Sequence, residues 1–486
     1  MERSDLDCVA GIAFPQTLEE AHALIVKLLV RIEEAEAKNA KLMERIAELE
    51  VRLGKNSQNS SKPPSSDPPS LKLPPKKPPS GRKPGGQPGH KGSQRKLLPP
   101  EQVDSTEEHW PTQCEHCDGR LPKGVRVDVG EALRHQVIEI PEVKGHVTEH
   151  RLHSQYCDGC GHTTQADLPA GVPQGAFGPR LQAALALFTG CYHVSKRTVQ
   201  SALGDLFGVD LSLGSVSTTE QNVSAALKVP VTEAHQYVQQ STGAVHADET
   251  GWREARKRAW LWIAGTALVT VFQIHASRGA DAARALLGNF AGILVTDRWS
   301  AYRGWNIKMR QVCWAHLIRD FNFIAESKGV AGAVGGALLL AAKDVFELWH
   351  RARDGTISRS TLKRQMKPIR ERIEYLLKQG AGCHAHGVSG MCLAILSMQE
   401  AMWTFVRVAG VEPTNNFGER NLRPAVLWRK GSFGTHSEAG SRFAERMMTV
   451  VATLRLQHRN VYRYLAQATQ AALLHRDAPS LLPAAA

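Results

Sequence analysis

Cysteine is scarce in this chain: nine residues in 486, an odd number. A disulfide framework is therefore not expected, and a soluble, reducing compartment fits. Long uninterrupted apolar runs are also missing. The uncharged run from Gly329 to Ala342 is too short to span a bilayer and is rich in glycine. The run from Ala259 to Ser277 is broken by Gly265, Thr266, Gln273 and His275. It reads as two strands around a turn at Gly265-Thr266-Ala267, not as a membrane helix. The start, Met1-Glu2-Arg3-Ser4-Asp5-Leu6-Asp7, lacks the basic opening of a signal peptide.

What remains is ample for folded domains. Hydrophobic residues make up 42% and charged residues 22%. That balance excludes disorder throughout and supports roughly three domains at about 150 residues each. Sixty Lys and Arg against 47 Asp and Glu give a net charge of +13. An excess of this sign points to an anionic partner, nucleic acid first among them.

Residues 18–53 carry a heptad pattern. The a positions are Leu18, Ile25, Ile32, Asn39, Ile46 and Leu53; the d positions are Ala21, Leu28, Ala35, Leu42 and Leu49. A single Asn in an otherwise apolar seam sets register and favours a parallel dimer. The expected dimer contacts are Ile25, Leu28, Ile32, Asn39, Leu42, Ile46 and Leu49. An amphipathic helix packed on its own domain is the alternative. Residues 51–100 then hold 12 of the 25 prolines and 11 Lys or Arg against one acid, Asp67. Proline fixes φ and removes a donor, so a stretch such as Lys72-Leu73-Pro74-Pro75-Lys76-Lys77-Pro78-Pro79 forms neither helix nor sheet. This is an extended basic linker, either an electrostatic tether or a solvated spacer.

Two C-x-x-C pairs follow, Cys114/Cys117 and Cys157/Cys160. Four soft thiolates suit tetrahedral zinc, and Gly119, Gly159 and Gly161 suit knuckle turns. The gap between the pairs is long for a zinc ribbon, and alternation in Gln136-Val137-Ile138-Glu139-Ile140 predicts strands within it. Residues 178–230 read as three short helices. Ser195 caps the second, Gly208 ends it, and Ser212 or Ser215 opens the third. This arrangement resembles a helix-turn-helix.

After residue 240 the pattern turns to β. Gly243–Asp248 reads as a short strand ending in an acid, followed by strands at Trp260–Ala264 and Val269–His275 and a helix at Ala280–Leu287. Gly292–Asp297 has the apolar run of a central buried strand and also ends in an acid. A short strand near Arg310–Trp314 leads into helix. A carboxylate at a buried strand end needs compensation, and a hard divalent cation supplies it. Strand-strand-strand-helix-strand with acids on the first and fourth strands is the ribonuclease H-like plan, and a third acid should come from a later helix.

The chain also resembles a known family. Ala247-Asp248-Glu249-Thr250, Thr296-Asp297-Arg298-Trp299-Ser300-Ala301-Tyr302, Cys313-Trp314-Ala315-His316 and Thr414-Asn415-Asn416-Phe417-Gly418-Glu419-Arg420-Asn421-Leu422-Arg423 are similar to the DDE transposases of the insertion-sequence-66 family. The order of coiled coil, basic linker with Gly85-Gly86-Gln87-Pro88-Gly89-His90, zinc ribbon and catalytic domain agrees along nearly the whole chain. The resemblance implies a multidomain α/β protein that cleaves DNA at the ends of an insertion sequence and transfers the strands. It implies Asp248, Asp297 and Glu419 as catalytic residues holding Mg²⁺ or Mn²⁺. Zn²⁺ on Cys114, Cys117, Cys157 and Cys160 is the second expected metal. The implied partners are transposon-end and target DNA, a second copy of the chain, and accessory proteins of the same element, with no membrane. The implied place is the bacterial cytoplasm, at the nucleoid. The domains expected are a coiled coil at 18–53, linker at 54–105, zinc ribbon at 106–170, helical domain at 171–235, catalytic domain at 240–430 and basic helical region at 431–486.

Rival assignments stay open. Glu249 adjoins Asp248, and on a strand the two face opposite sides. Asn416-x-x-Glu419 fits a capping box, and Glu412 is the alternative third acid. The long interval between the second and third acids implies an insertion, and residues 326–410 look helical throughout. Cys313 and His316 could begin a second zinc site with Cys383, His384 and His386, or His316 could orient DNA. His246 shares a strand face with Asp248 and also suits a core position. Arg420, Arg423, Arg429 and Lys430 are expected to meet phosphates; a solvated face is the alternative. A non-catalytic DNA-binding regulator and a nuclease without strand transfer are the rival functions.

Overall fold

The computed structural model describes residues 15, 17–53, 89, 91–92, 95–121 and 132–483. The linker at 54–88, with most of its glycine motif, lies outside the described residues. The described chain falls into two compact units, one built from α1, 150–200 and 212–483, the other from residues between 89 and 149 together with 201–211.

Helix α1 runs from Leu18 to Leu53. Its start is a reciprocal cap: the Glu20 amide donates to Thr17 Oγ1 at 3.2 Å, and the Thr17 amide donates to Glu20 Oε2 at 3.2 Å. Ile25, Leu28, Ile32, Leu42, Ile46 and Leu49 are all exposed along this helix.

Both C-x-x-C segments fold as the same local knuckle. The amide of each pair's first cysteine closes it on a carbonyl further along: Cys114 N–H donates to Gly119 O at 2.9 Å, and Cys157 N–H to His162 O at 2.9 Å. The residue after each second cysteine has positive φ, +55° at Asp118 and +70° at Gly161. Its amide returns to the first cysteine's carbonyl, at 3.0 Å and 2.8 Å. Backbone amides of His116 and Cys117 lower the Cys114 thiol, and Cys160 lowers the Cys157 thiol. The strands are shorter than expected. β1 (Ser154–Tyr156) and β2 (Thr163–Gln165) form a hairpin around the second knuckle. Residues 136–140 are not a strand. Val137, Ile138 and Ile140 are exposed, and the Gln136 side chain instead clips the Leu98 backbone at 2.8 and 2.9 Å.

Helices α2 (Pro179–Gly190), α3 (Lys196–Phe207) and α4 (Leu213–Ala226) lie where the sequence places three helices. Ser195 accepts the Thr198 amide, and Ser212 caps α4 by accepting Ser215 N–H. A further helix, α5 (Lys228–Gln240), leads into the sheet.

The sheet has five strands in the order β5-β4-β3-β6-β7: β3 Ala244–Glu254, β4 Lys257–Gly265, β5 Thr270–His275, β6 Ile293–Thr296 and β7 Arg310–Val312. β3, β4 and β5 pair antiparallel, whereas β6 and β7 extend the sheet in parallel from β3. Helix α6 (Ala280–Leu287) makes the crossover from β5 to β6. This is the α/β arrangement expected of a ribonuclease H-like domain. One departure matters for the site: β3 does not end at Asp248 but runs on to Glu254, because β4 continues to pair with it.

The two faces of the sheet are covered by different helices. On one, Val245, Ala247, Trp262 and Leu294 pack with α2, α4, α5, α6 and the last two helices, α14 (Glu438–Leu456) and α15 (Val461–Leu473). On the other, Val295 and Val312 pack with α7 (Trp314–Ala325), α8 (Gly329–Arg353), α9 (Arg359–Ala381), α10 (Val388–Leu396) and the short α11 (Gln399–Met402) and α12 (Thr404–Arg407). The segment 326–410 is thus helical, as its sequence indicates. α8 is long and apolar enough to cross a membrane, yet Val334, Leu338, Ala341, Ala342 and Val345 are buried in this second core. α13 (Asn416–Ser432) follows and carries the third acid.

The open edge of β5 is sealed by side chains. Glu445 accepts the Ile274 amide, Thr449 the Phe272 amide at 3.0 Å and Thr453 the Thr270 amide at 3.1 Å. Four residues of helix rise about 6 Å, and two residues of strand about 6.6 Å, so the two repeats stay in step over three contacts. Unpaired edge amides invite association with other chains, and α14 removes them.

Candidate active site

The strand register brings the first two acids together. β3 and β6 run parallel with His246 opposite Val295. Two residues further on stand Asp248, still on β3, and Asp297, one residue past the end of β6. The two carboxyl groups are near enough for Asp297 to raise Asp248. The parallel pairing of β3 stops at His246, which frees the space beside Asp248.

Electrostatics bring Glu419 into the same group. Desolvation raises Asp248 well above the ordinary aspartate range, and Glu249, Asp297 and Glu419 raise it further. Asp297 is raised by desolvation, against the Trp299 amide that donates to its Oδ1 at 2.8 Å and against Arg278, Arg310 and Arg298. Glu419 is raised by desolvation and by Asp297, with Arg319 opposing. Asp248 on β3, Asp297 just past β6 and Glu419 on α13 are thus close enough for the second and third to act on the first, although among the described residues their oxygens do not gather within 4.8 Å of one another.

The rival acids have other partners. Glu249 faces the opposite side of β3, where it accepts Tyr302 Oη–H at 2.8 Å and Arg278 Nη2–H and Nε–H at 2.9 and 3.1 Å. The Arg278 guanidinium lies 3.8 Å from the centroid of Trp299 and 4.7 Å from that of Trp260. Glu412 is exposed. The capping-box reading of Glu419 is also corrected. Asn415, not Asn416, is the N-cap of α13, which moves Glu419 one position past the place a capping box requires.

Asn415 is a junction that the sequence did not reveal. It is buried, at 1% exposure. Its amide donates to Cys313 Sγ at 3.1 Å, and its Nδ2 donates to Ala247 O at 2.9 Å. Its Oδ1 lies 3.0 Å from His246 Nδ1, and its carbonyl accepts the Glu419 amide at 3.1 Å. Through its side chain Asn415 thus grips the strand of Asp248, and through its backbone it joins the helix of Glu419 and the start of α7. His246, desolvated and kept neutral, also lies against Phe417. A second hidden support is Arg310. It is 2% exposed, and its Nη2 donates to Thr296 Oγ1 at 3.1 Å and to Asp297 O at 3.3 Å. A charged residue opening the strand Arg310–Val312 was its available signal.

Cys313 is the N-cap of α7 and His316 stands in its first turn. Burial pushes the Cys313 thiol up to about 11 and the His316 imidazole down to about 3, the latter assisted by Arg319 and Arg298. His316 Nδ1 lies 3.8 Å from Glu419 Oε1, and Arg319 Nη2 3.9 Å from the same oxygen. Arg298 donates to Asp320 at 2.7 Å. Cys383, His384 and His386 do not join Cys313 and His316 in a ligand group.

The expected phosphate contacts divide. Arg420, Arg423 and Lys430 are exposed on α13. Arg429 is turned inward, donating to Thr250 Oγ1 at 3.0 Å and to the Gly251 carbonyl. The tail arginines are similarly engaged: Arg442 with Glu445, Arg446 with Ser224, and Arg455 with Cys191. Trp428 stacks on His193 with centroids 4.6 Å apart.

Residues 174–443 match the family described as Transposase IS66 family, more than half of the chain. The chain belongs to the IS66 family of transposases. Residues 13–96 also match a family of unknown function, DUF6444. Two proteins of Sinorhizobium fredii (strain NBRC 101917 / NGR234) are similar to this IS66-family chain. Uncharacterized protein y4qI is 28% identical over 237 residues, 43% of this chain and 43% of that protein. Uncharacterized protein y4hP is 27% identical over 384 residues, 71% of this chain and 68% of its own length.

A pH dependence follows from the raised acids. Glu249 is pushed to about 6 and Glu445 to about 7, each from 4.5, and Asp248, Asp297 and Glu419 are raised as well. A folded-state pKa above the unfolded value gives stability that is full below the unfolded pKa and drains as pH rises through the folded one. The metal-free chain should therefore lose stability between about pH 4.5 and 7, with Glu445 alone accounting for ~3 kcal/mol. Thermal melts across this range in chelator should show a falling Tm. Glu445→Gln should flatten part of the slope, and a slope of opposite sign would refute the account.

Proposed function

We propose that this chain is a DDE transposase that hydrolyses a phosphodiester at each end of an insertion sequence and joins the freed 3′ hydroxyls to target DNA. The carrying observation is that Asp297, just past β6, and Glu419, on α13, both raise the buried Asp248 of β3. Three mutually repelling carboxylates are a hard-oxygen donor set, which fits Mg²⁺ or Mn²⁺ better than any protein cation nearby. When bound, such ions would supply Lewis acidity to the attacking and leaving oxygens.

The chain's own residues would do the rest. Asn415 and Arg310 hold the backbones that carry the acids. Arg420, Arg423 and Lys430 would meet phosphates along α13, with His316 orienting DNA beside Glu419. Arg429 would act indirectly, by fixing the end of β3. The exposed seam of α1 would pair two copies of the chain, because two element ends must be held together. Zinc on Cys114, Cys117, Cys157 and Cys160 remains part of this reading, on the chemistry of two knuckles with lowered first thiols. With α3 and α4 as a helix-turn-helix, it would recognise the ends. Accessory proteins of the same element and action at the bacterial nucleoid complete the proposal.

A joining assay tests it against both rivals. Purified chain is given pre-cleaved element ends, a supercoiled target and Mg²⁺ or Mn²⁺. Joined product that requires the divalent ion is expected. Hydrolysis without joining would leave a nuclease, and binding without either product a regulator.

A further inference from the structure

Beside the three acids lies a donor set of different chemistry. Cys313 Sγ, a ring nitrogen of His316 and a carboxylate oxygen of Glu419 all lie within 4.8 Å of one another. His316 Nδ1 is buried and has no hydrogen-bond partner. At 3.8 Å it is too far from Glu419 Oε1 for a hydrogen bond, yet both atoms could reach one ion at ~2 Å each. Cys313 and His316 are held by the rigid first turn of α7, so their spacing does not depend on a mobile loop.

We propose that Cys313, His316 and Glu419 form a binding site for a soft divalent cation, zinc in particular, whose occupancy opposes the catalytic ions. A thiolate and an imidazole select zinc over magnesium, which takes oxygen ligands. The Cys313 thiol would release its proton to solvent on binding. The Asn415 amide that already donates to Sγ would then stabilise the sulfur as a zinc-bound thiolate. Thiolate and Glu419 carboxylate balance the charge of Zn²⁺, and a water completes a tetrahedron. Arg319, in loose contact at 3.9 Å, would leave Glu419.

The consequence rests on the proposed transposase reading. Zinc held by Cys313 and His316 would draw Glu419 toward them and away from Asp248 and Asp297, and so would withdraw the third acid from the reaction. Magnesium-dependent cleavage should then fall with zinc and recover when a zinc chelator is added.

The binding test is independent of activity. The full chain, Cys313→Ser and His316→Gln are dialysed to equilibrium at low micromolar free zinc, and bound zinc is measured by atomic absorption. The wild type should hold one zinc ion per chain more than either variant, with matching circular dichroism spectra. Should Cys313→Ser fail to fold, His316→Gln decides alone, since its ring is in the first turn and partly exposed. Equal zinc content in all folded chains overturns the site. Zinc inhibition is then measured on the wild type. If the transposase reading fails, no chain cleaves DNA, but the difference in zinc content persists. If the zinc site fails, cleavage stands and the zinc contents agree.

Discussion

Asp248→Asn, Asp297→Asn and Glu419→Gln should each lower metal-dependent cleavage and joining by about 10³-fold or more. On the proposed function, each would remove one ligand charge from an ion that would contribute several kcal/mol to the transition state, and every 1.4 kcal/mol or so is tenfold in rate. Binding to element ends should survive, because the exposed cations Arg420, Arg423 and Lys430 are untouched. The metal-free variants should also be more stable than the wild type at pH 8. Asp248 is raised by burial and by three neighbouring acids, so replacing it with a neutral isostere removes both penalties. Loss of rate with a gain in stability separates a strained catalytic group from a structural one. Gel-shift, cleavage and melting measurements on the same preparations check all three parts. Retained cleavage, or lost end binding, would refute the assignment.

Much of the five-stranded sheet was legible because its signals are local. A buried apolar run closed by an acid marks β6, and the interrupted run at 259–277 marks β4 and β5 with their turn. The helical 326–410 segment shows in its composition. What escaped notice depends on contacts between distant residues. Asn415 looked like one more residue of a motif, and only the fold reveals that it reaches Ala247 and Cys313. The tail was legible as basic, but Arg442 and Arg446 are half-buried and engaged with Glu445 and Ser224. Its Glu445, Thr449 and Thr453, one turn apart, seal β5 across some 180 positions of sequence. The strand expected at 136–140 failed for the converse reason: local alternation was present, but among the described residues no strand pairs with it.

Asn415→Ala should cost roughly 2–5 kcal/mol of stability and also impair the reaction. The variant leaves His246 Nδ1 and the Ala247 carbonyl unpaired in a buried place, at about 1–3 kcal/mol each. Stability alone would not show that Asn415 positions the acids. Its side chain links β3 directly to the cap of α13, so its loss should let Asp248 and Glu419 drift apart. A displacement near 1 Å can cost about 10²-fold in rate. The half-saturating concentration of Mn²⁺ should rise, since residues on both elements would hold that ion. Leu422→Ala is the control: Leu422 is 5% exposed on the same helix, away from the junction, in the core with Trp252 and Leu261. It should lose comparable stability by leaving a cavity, about 2–5 kcal/mol, while its Mn²⁺ dependence stays near wild type. Asn415→Asp keeps an acceptor for His246 but sets an oxygen against the Ala247 carbonyl, so it should not rescue. If Asn415→Ala and Leu422→Ala shift the Mn²⁺ dependence equally, Asn415 acts through stability alone.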